Sequence, residues 1–249
     1  MQDDANGPSF EASSPEVFEL AQSCQRQLER VRAAARAVGR RPDEVTLIAV
    51  SKRQPVWKIN AAYAAGQRDF GENYAQELVE KAKQLSNKSD IRWHMIGHLQ
   101  TNKAKSLAPL IYQLHTVSSE RLGRELDKRM AALPEPAQRR RLSVLVEVNV
   151  SGEESKNGCS PAALPALLDQ LEQCAHLSLS GLMTVPPRTE DPAAARPHFQ
   201  RLAELRDALG GCARLPHLSM GMSHDAEIAV ACGATQVRIG SALFGPRSS

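Results

Sequence analysis

Apolar residues recur along this chain in two alternating rhythms. Short β-branched or apolar runs bounded by turn residues fall at 46–51, 68–72, 93–98, 113–117, 143–150, 179–185, 217–222 and 236–240. Runs of this length and composition predict strands. Between them, apolar residues take helical spacing at 55–66, 73–85, 101–110, 119–133, 160–174, 196–211 and 225–233. A longer stretch, 15–39, begins with Pro15, keeps helical spacing through its middle and stops at Gly39, which predicts a leading helix. Regular alternation of strand and helix implies a parallel sheet, and eight such units in about 200 residues match the size of a single-domain (β/α)8 TIM-type barrel. An open doubly wound sheet is the rival architecture. No linker rich in Gly, Ser or Pro divides the chain, although "LPEPAQ" and "VPPRTEDP" read as long surface loops. One domain is therefore expected over 15–249, preceded by a polar tail over 1–14 that reads as disordered.

Composition narrows the classes. With 249 residues and 42% hydrophobic content the chain is long enough for a sizeable core. Lys+Arg 31 against Asp+Glu 28 leaves a formal charge of +3, and the basic residues are scattered apart from the run Arg139, Arg140, Arg141. Aromatic residues make up only 4%, so no nucleic-acid surface is expected. The five cysteines form no CxxC pair, and an odd, dispersed set suits a reducing compartment. No metal-binding set is assigned. No apolar stretch approaches the ~18 residues needed to cross a bilayer, and the acidic, polar opening is unlike a targeting peptide. The expectation is a soluble cytoplasmic protein, monomeric and without membrane contact.

Candidate chemistry gathers at the carboxyl ends of the strands, the functional face of a parallel barrel. Lys52 ends the apolar run "TLIAVSK". In such a partly desolvated place the ammonium is disfavoured and the free amine can attack a carbonyl; the alternatives are a snorkelling lysine or one paired with Glu72. Glu72 and Asn73 of "FGENY", His94 and His98 of "WHMIGHLQ", His115, Asn149, Met183 and Thr184 also fall near strand ends. In "LSMGMSHDAEIAVACGATQVRIGSALFG", Ser223 or Asp225 can cap the helix beginning near Ala226. Met222, Ser223, Gly240 and Ser241 could form a phosphate cup after strands seven and eight, since glycine lets backbone approach an anion and loop N–H groups attract it. Ordinary turn chemistry would use the same residues. An amine for an aldehyde opposite a cup for a phosphate suggests pyridoxal 5′-phosphate, with Arg238 meeting the pyridine nitrogen and leaving it unprotonated. A Schiff-base aldolase or sugar-phosphate barrel could use the same lysine and cup.

The motifs "AVSK", "FGENYAQEL", "WHMIGHLQTNK", "VNVSGEESKNG", "LSGLMTV", "LSMGMSHD" and "VRIGSALFG" occur in an order that resembles the YggS/PROSC-type pyridoxal phosphate homeostasis proteins. These are single-domain barrels related to the amino-terminal domain of alanine racemase, within the fold type III pyridoxal phosphate proteins. The resemblance covers roughly residues 15–245. It implies that Lys52 carries the cofactor as a covalent aldimine, that Met222, Ser223, Gly240 and Ser241 hold the phosphate, that Arg238 faces the ring nitrogen and that Asn73 lines the site. Ser241 stands where relatives often have threonine, which keeps the hydroxyl, and Cys159 in "ESKNGC" is assigned no role. The resemblance further implies control of the vitamin B6 pool, with apo pyridoxal phosphate enzymes as possible partners and no catalytic turnover. Racemases with this barrel oppose the lysine with a tyrosine of a second domain. Here the chain stops soon after Gly245, so an open, water-exposed cofactor face is expected. The alternative is an amino-acid racemase or decarboxylase using His94, His98 or His115 as a second acid/base.

Overall fold

The computed structural model describes residues 14–246 apart from Pro136, Gln138, Arg139 and Glu154. The expected tail over 1–14 lies outside the described residues except for Ser14, as do residues 247–249. Ser14 is the N-cap of helix α1 (Pro15–Ala37), its hydroxyl accepting from the Val17 N–H. Leu20, Cys24, Val31 and Ala35 fall on one face of α1 and are buried. The helix ends at Val38 and Gly39, where φ is +73°, a backbone angle that favours glycine.

Eight strands follow: β1 (Thr46–Val50), β2 (Asp69–Glu72), β3 (Arg92–Met95), β4 (Gln113–Val117), β5 (Leu142–Glu147), β6 (Leu177–Met183), β7 (His217–Ser219) and β8 (Gln236–Ile239). They pair in parallel in sequence order, and β8 closes onto β1 with Thr46 opposite Gln236 and Ala49 opposite Ile239. The expected barrel is thus present and the open sheet is not. Helices α2 (Val56–Ala64), α3 (Ala75–Gln84), α4 (Ala104–Leu107), α5 (Glu120–Ala131), α6 (Leu164–Glu172), α7 (Arg196–Ala208), α8 (Gly211–Arg214), α9 (Ala226–Ala231) and α10 (Ser241–Phe244) complete the order. Helix α1 packs on α2, α9 and α10. No helix among the described residues is long and apolar enough to cross a membrane.

Helix α5 shows how pattern becomes packing. Ser119 caps its start by accepting from the Leu122 N–H, Glu120 sits in the first turn, and Lys128 and Arg129 sit in the last, each favourable to the helix dipole. Leu122, Leu126 and Met130, spaced by one turn, are buried toward the sheet; each contributes about 1.5–3 kcal/mol relative to an exposed position. The main apolar cluster lies between the helices and the outer faces of the strands.

The barrel interior is different. Side chains at alternate strand positions face inward, and here they include Asp69, His94, Gln113, His115, Ser219, Gln236 and Arg238, all buried. Ile48, Leu145 and Met183 are the buried apolar residues that stand apart from the main cluster. At one level Gln236 donates to Gln113 (2.8 Å), Gln113 to Ser143 (2.8 Å) and Ser143 to Ser180 (2.9 Å). Hydrogen bonds thus take the place of aliphatic layers in the lumen.

Candidate functional site

The carboxyl ends of β7, β8, β1 and β2 lie side by side on one rim. Ala49 pairs with both Ile239 of β8 and Phe70 of β2, while the Arg238 N–H donates to the Gly221 carbonyl just past β7 (3.0 Å). Around that rim come Met222 and Ser223, then Gly240 and Ser241, then Lys52, then Asn73. The structure therefore brings all of the expected rim residues to one mouth, with Arg238 in the wall beneath them.

Lys52 lies two residues past the end of β1 and is half-buried. The backbone before it is held tightly: the Ser51 N–H donates to the Gly71 carbonyl (3.0 Å), and the Ser51 carbonyl accepts from Lys81 Nζ (2.7 Å). Lys81 also donates to Glu72 Oε1 (2.8 Å) and Glu77 Oε1 (2.7 Å), and Ser51 Oγ donates to Glu72 Oε1 (2.6 Å). Burial pushes the Glu72 carboxyl above its ordinary range, with Lys81 and Ser51 opposing. After Lys52 the chain turns through Arg53 at φ +57°, an uncommon conformation for a residue with a side chain. The Arg53 N–H is anchored on Glu77 Oε1 (2.5 Å). A fixed strand end on one side and a strained turn on the other set the direction in which Lys52 leaves the wall. Sequence reading missed Lys81. Its signal lay in the i, i+4 spacing of Glu77 and Lys81 on α3.

Asn73 follows β2 and is half-buried. A Cβ at Gly97 would lie 2.1 Å from its carbonyl oxygen, so the loop after β3 is pressed against it. Beyond β8, Gly240 comes so near β1 that a Cβ there would lie 3.3 Å from the Val50 carbonyl oxygen. Ser241 begins α10, whose first N–H groups lack intrahelical partners.

The loop after β7 departs from one detail of the expected cup. Asp225 is the N-cap position of α9, but its carboxylate bonds backward, accepting from the Met222 N–H (2.6 Å). That N–H is therefore engaged by an internal anion, and Met222 enters the rim through its 38% exposed side chain. Gly221 at φ +92° makes the turn, and a Cβ there would strike Ala229. Arg30 of α1 donates to the Ser223 carbonyl (2.8 Å) and forms an ion pair with Glu227, fixing the loop from outside.

Arg238 is buried in β8, donating through Nη1 to Ser219 Oγ (2.7 Å) and through Nη2 to the Thr184 carbonyl (2.9 Å). Burial pulls its guanidinium down to about 10, with Glu147 and Asp225 holding the charge in place. It remains cationic at neutral pH. Glu147 is also buried and is pushed up by burial, with Arg238 opposing, and its Oε2 lacks a hydrogen-bond partner among the described residues.

The histidines separate. His94 and His115 lie inside the barrel below the mouth, with His94 Nδ1 and His115 Nε2 2.9 Å apart. His98 is exposed in the loop after β3. Asn149 holds its own loop, donating to the Glu153 carbonyl (2.8 Å) and accepting from the Gly152 N–H (3.0 Å), while the Thr184 hydroxyl donates to the Val148 carbonyl (2.9 Å). Of the tyrosines, Tyr63 donates to Asp90 (2.5 Å), Tyr112 lies edge-on to His94, and exposed Tyr74 sits beside Arg53 at the mouth.

Residues 21–248 match the family described as "Alanine racemase, N-terminal domain". The chain is 44% identical over 229 residues to a "Pyridoxal phosphate homeostasis protein" of Pseudomonas aeruginosa, covering 92% of this chain and 96% of that one. It is 42% identical over 224 residues to a protein of the same name from Aquifex aeolicus, covering 89% and 96%. Among solved structures, PipY of Synechococcus elongatus with PLP bound superposes with a TM-score of 0.77 at 35% identity, covering 91% of this chain and 100% of that one. Alanine racemase from Corynebacterium glutamicum shares the fold at 14% identity, with a TM-score of 0.65 over 94% of this chain and 62% of that one.

Proposed function

The chain belongs to the family of the pyridoxal phosphate homeostasis proteins, on the alanine racemase N-terminal barrel, and from that premise we propose that it holds pyridoxal 5′-phosphate at the barrel mouth and buffers or supplies it without turning over a substrate. The observation that carries this reading is the adjacency on one rim of an amine (Lys52), two loops with glycine and serine (221–223 and 240–241) and a buried guanidinium (Arg238). Each group meets a different part of the cofactor. Lys52 holds its aldehyde carbon as a Schiff base, and Ser223, Gly240 and Ser241 receive the phosphate. Met222 covers the ligand with its exposed side chain, Asn73 borders the ring, and Arg238 faces the ring nitrogen.

The residues fit that group. Gly240 approaches Val50 too closely for a larger side chain to sit comfortably, and hydroxyls and N–H groups at loop and helix starts suit a phosphate. When bound, the cofactor supplies an aldehyde reactive to amines and an electron-withdrawing ring. A cation that keeps its proton beside the ring nitrogen leaves that nitrogen unprotonated and the ring a weak electron sink, which favours holding over catalysis. The reading as a non-enzyme is also supported by His94 and His115, whose ring nitrogens are engaged inside the lumen. A monomer in the cytoplasm, with apo-enzymes as recipients, completes the proposal.

Titration of the apo protein with pyridoxal 5′-phosphate tests it. An imine absorbance band should saturate at one equivalent in the wild type and be lost in a folded Lys52→Ala variant. A wild-type protein with no such band would favour the cofactor-free aldolase chemistry. Deuterium wash-in at Cα of an amino acid, abolished by replacing a single side chain, would instead establish an enzyme.

A further inference from the structure

Deepening that reading, and resting on it for the cofactor's place, we propose that Asp69, His94, His115 and Ser219 form a one-way hydrogen-bond chain that positions Arg238 from inside the barrel. The distances run without a gap. Arg92 Nε and Nη2 donate to the two oxygens of Asp69 (2.6 Å each), Asp69 Oδ1 meets His94 Nε2 (3.0 Å), and His94 Nδ1 meets His115 Nε2 (2.9 Å). His115 Nδ1 meets Ser219 Oγ (2.9 Å), which accepts from Arg238 Nη1 (2.7 Å). Asp69, His94, His115, Ser219 and Arg238 are all at least nine-tenths buried, with His115 and Ser219 at 0% exposure.

The direction follows from the carboxylate. Asp69 is held ionised by Arg92 and His94 against its burial, so His94 must present a proton on Nε2. A neutral His94 then has a bare Nδ1, which only an Nε2–H of His115 can satisfy. A neutral His115 in turn has a bare Nδ1, which requires the Ser219 O–H. Every donor from Arg238 to Asp69 thus points the same way. Polarisation along such a row strengthens each bond, and the Ser219 lone pairs are left facing the guanidinium.

The charged and titratable groups facing the histidine pair are Asp69 from β2, Arg92 from β3, Tyr112 just before β4, His217 from β7 and Arg238 from β8, with Glu147 of β5 beside Arg238. Burial, then His94, Arg238 and His217, hold His115 well below the ordinary histidine range, so it is neutral at physiological pH.

Histidine-15N labelling of the apo protein and long-range 1H–15N correlation read the tautomers without any cofactor. At neutral pH both His94 and His115 should be Nε2–H forms; an Nδ1–H form on either ring would overturn the proposal. Asp69→Asn should scramble the tautomers, shift the imine absorbance and weaken cofactor affinity about tenfold, the loss expected for one charged hydrogen bond. Ser219→Ala, which cuts only the last link, should weaken affinity similarly while leaving the His94 tautomer intact. Unchanged affinity and spectrum in a folded Ser219→Ala would sink the positioning role. A wild type with the expected tautomers but no cofactor binding would instead refute the proposed function.

Discussion

Replacing Lys81 with methionine removes the hub of the hydrogen bonds beneath Lys52. In the wild type Lys81 Nζ reaches Ser51 O, Glu72 Oε1 and Glu77 Oε1 within 2.7–2.8 Å, and the Glu72 side chain is 0% exposed. Glu77 is partly solvated at 22% exposure, and losing its ion pair costs only about 0–1 kcal/mol. Glu72 decides the outcome, because breaking a buried pair leaves an uncompensated charge at about 3–5 kcal/mol. For a chain of this size that is a fall in Tm of roughly 6–20 °C, at about 2–4 °C per kcal/mol. The effect depends on pH in a defined direction. Burial already raises the folded-state affinity of Glu72 for its proton, with Lys81 pulling the other way. Such a group favours folding below its unfolded value and loses that contribution as pH rises through the folded value. Without Lys81 the folded value moves higher still, so the variant's deficit grows from about pH 5 to about pH 8. Urea unfolding at both pH values, with Glu72→Met and the double variant completing a cycle, measures this. The double variant should recover more than half of the loss. A deficit under about 1 kcal/mol that does not change with pH, or a double variant no better than Lys81→Met, would refute the reasoning.

Other expectations follow from single contacts. Gly97→Ala should displace Asn73, whose carbonyl oxygen lies 2.1 Å from the new Cβ, lowering both Tm and cofactor affinity; affinity equal to wild type would place Asn73 outside the site. Arg53→Val should cost more than about 1 kcal/mol because a β-branched residue tolerates φ +57° poorly, whereas Arg53→Gly should stay within about 1 kcal/mol; chemical denaturation of the pair decides. Arg238→Glu should change the imine spectrum by letting the ring nitrogen keep a proton, and an unchanged spectrum would mean that Arg238 does not face the ring. The same variant loses the bonds to Ser219 and Thr184 and brings a second carboxylate toward Glu147, so its Tm should fall as well.

Strands such as β1 and β5 were legible because they read as apolar, β-branched runs between turn residues, whereas β2 and β3 show only short apolar stretches broken by polar residues such as Asp69 and His94. Their ends were less so. The fifth run continues to Val150, yet pairing stops at Glu147, since Val148 leaves to bridge Cys159. The seventh runs on to Met222, yet β7 ends at Ser219 and the chain turns at Gly221. The predicted helix over 101–110 divides into a 3-10 turn, Thr101–Lys103, and α4. Short α8 and α10 carry too few residues to show a period. The rim positions were readable as loops that follow strands, although their glycines and serines would serve an ordinary turn equally well. The lumen is harder to read for a physical reason: His94 and His115 fall near strand ends in the sequence, but each sits two residues after another polar residue, Arg92 and Gln113, on the inward face. Polar residues at every second position on neighbouring strands were the available signal. The backward bond from Asp225 to Met222 had none, because position alone marks an aspartate there as a helix cap.

The central claim is that one particular amine holds the cofactor. Borohydride reduction of the pyridoxal 5′-phosphate complex followed by peptide mass mapping tests it most directly. The account predicts a single pyridoxyl group on Lys52. A label on Lys58, Lys81 or Lys103, with Lys52 unmodified, would contradict it.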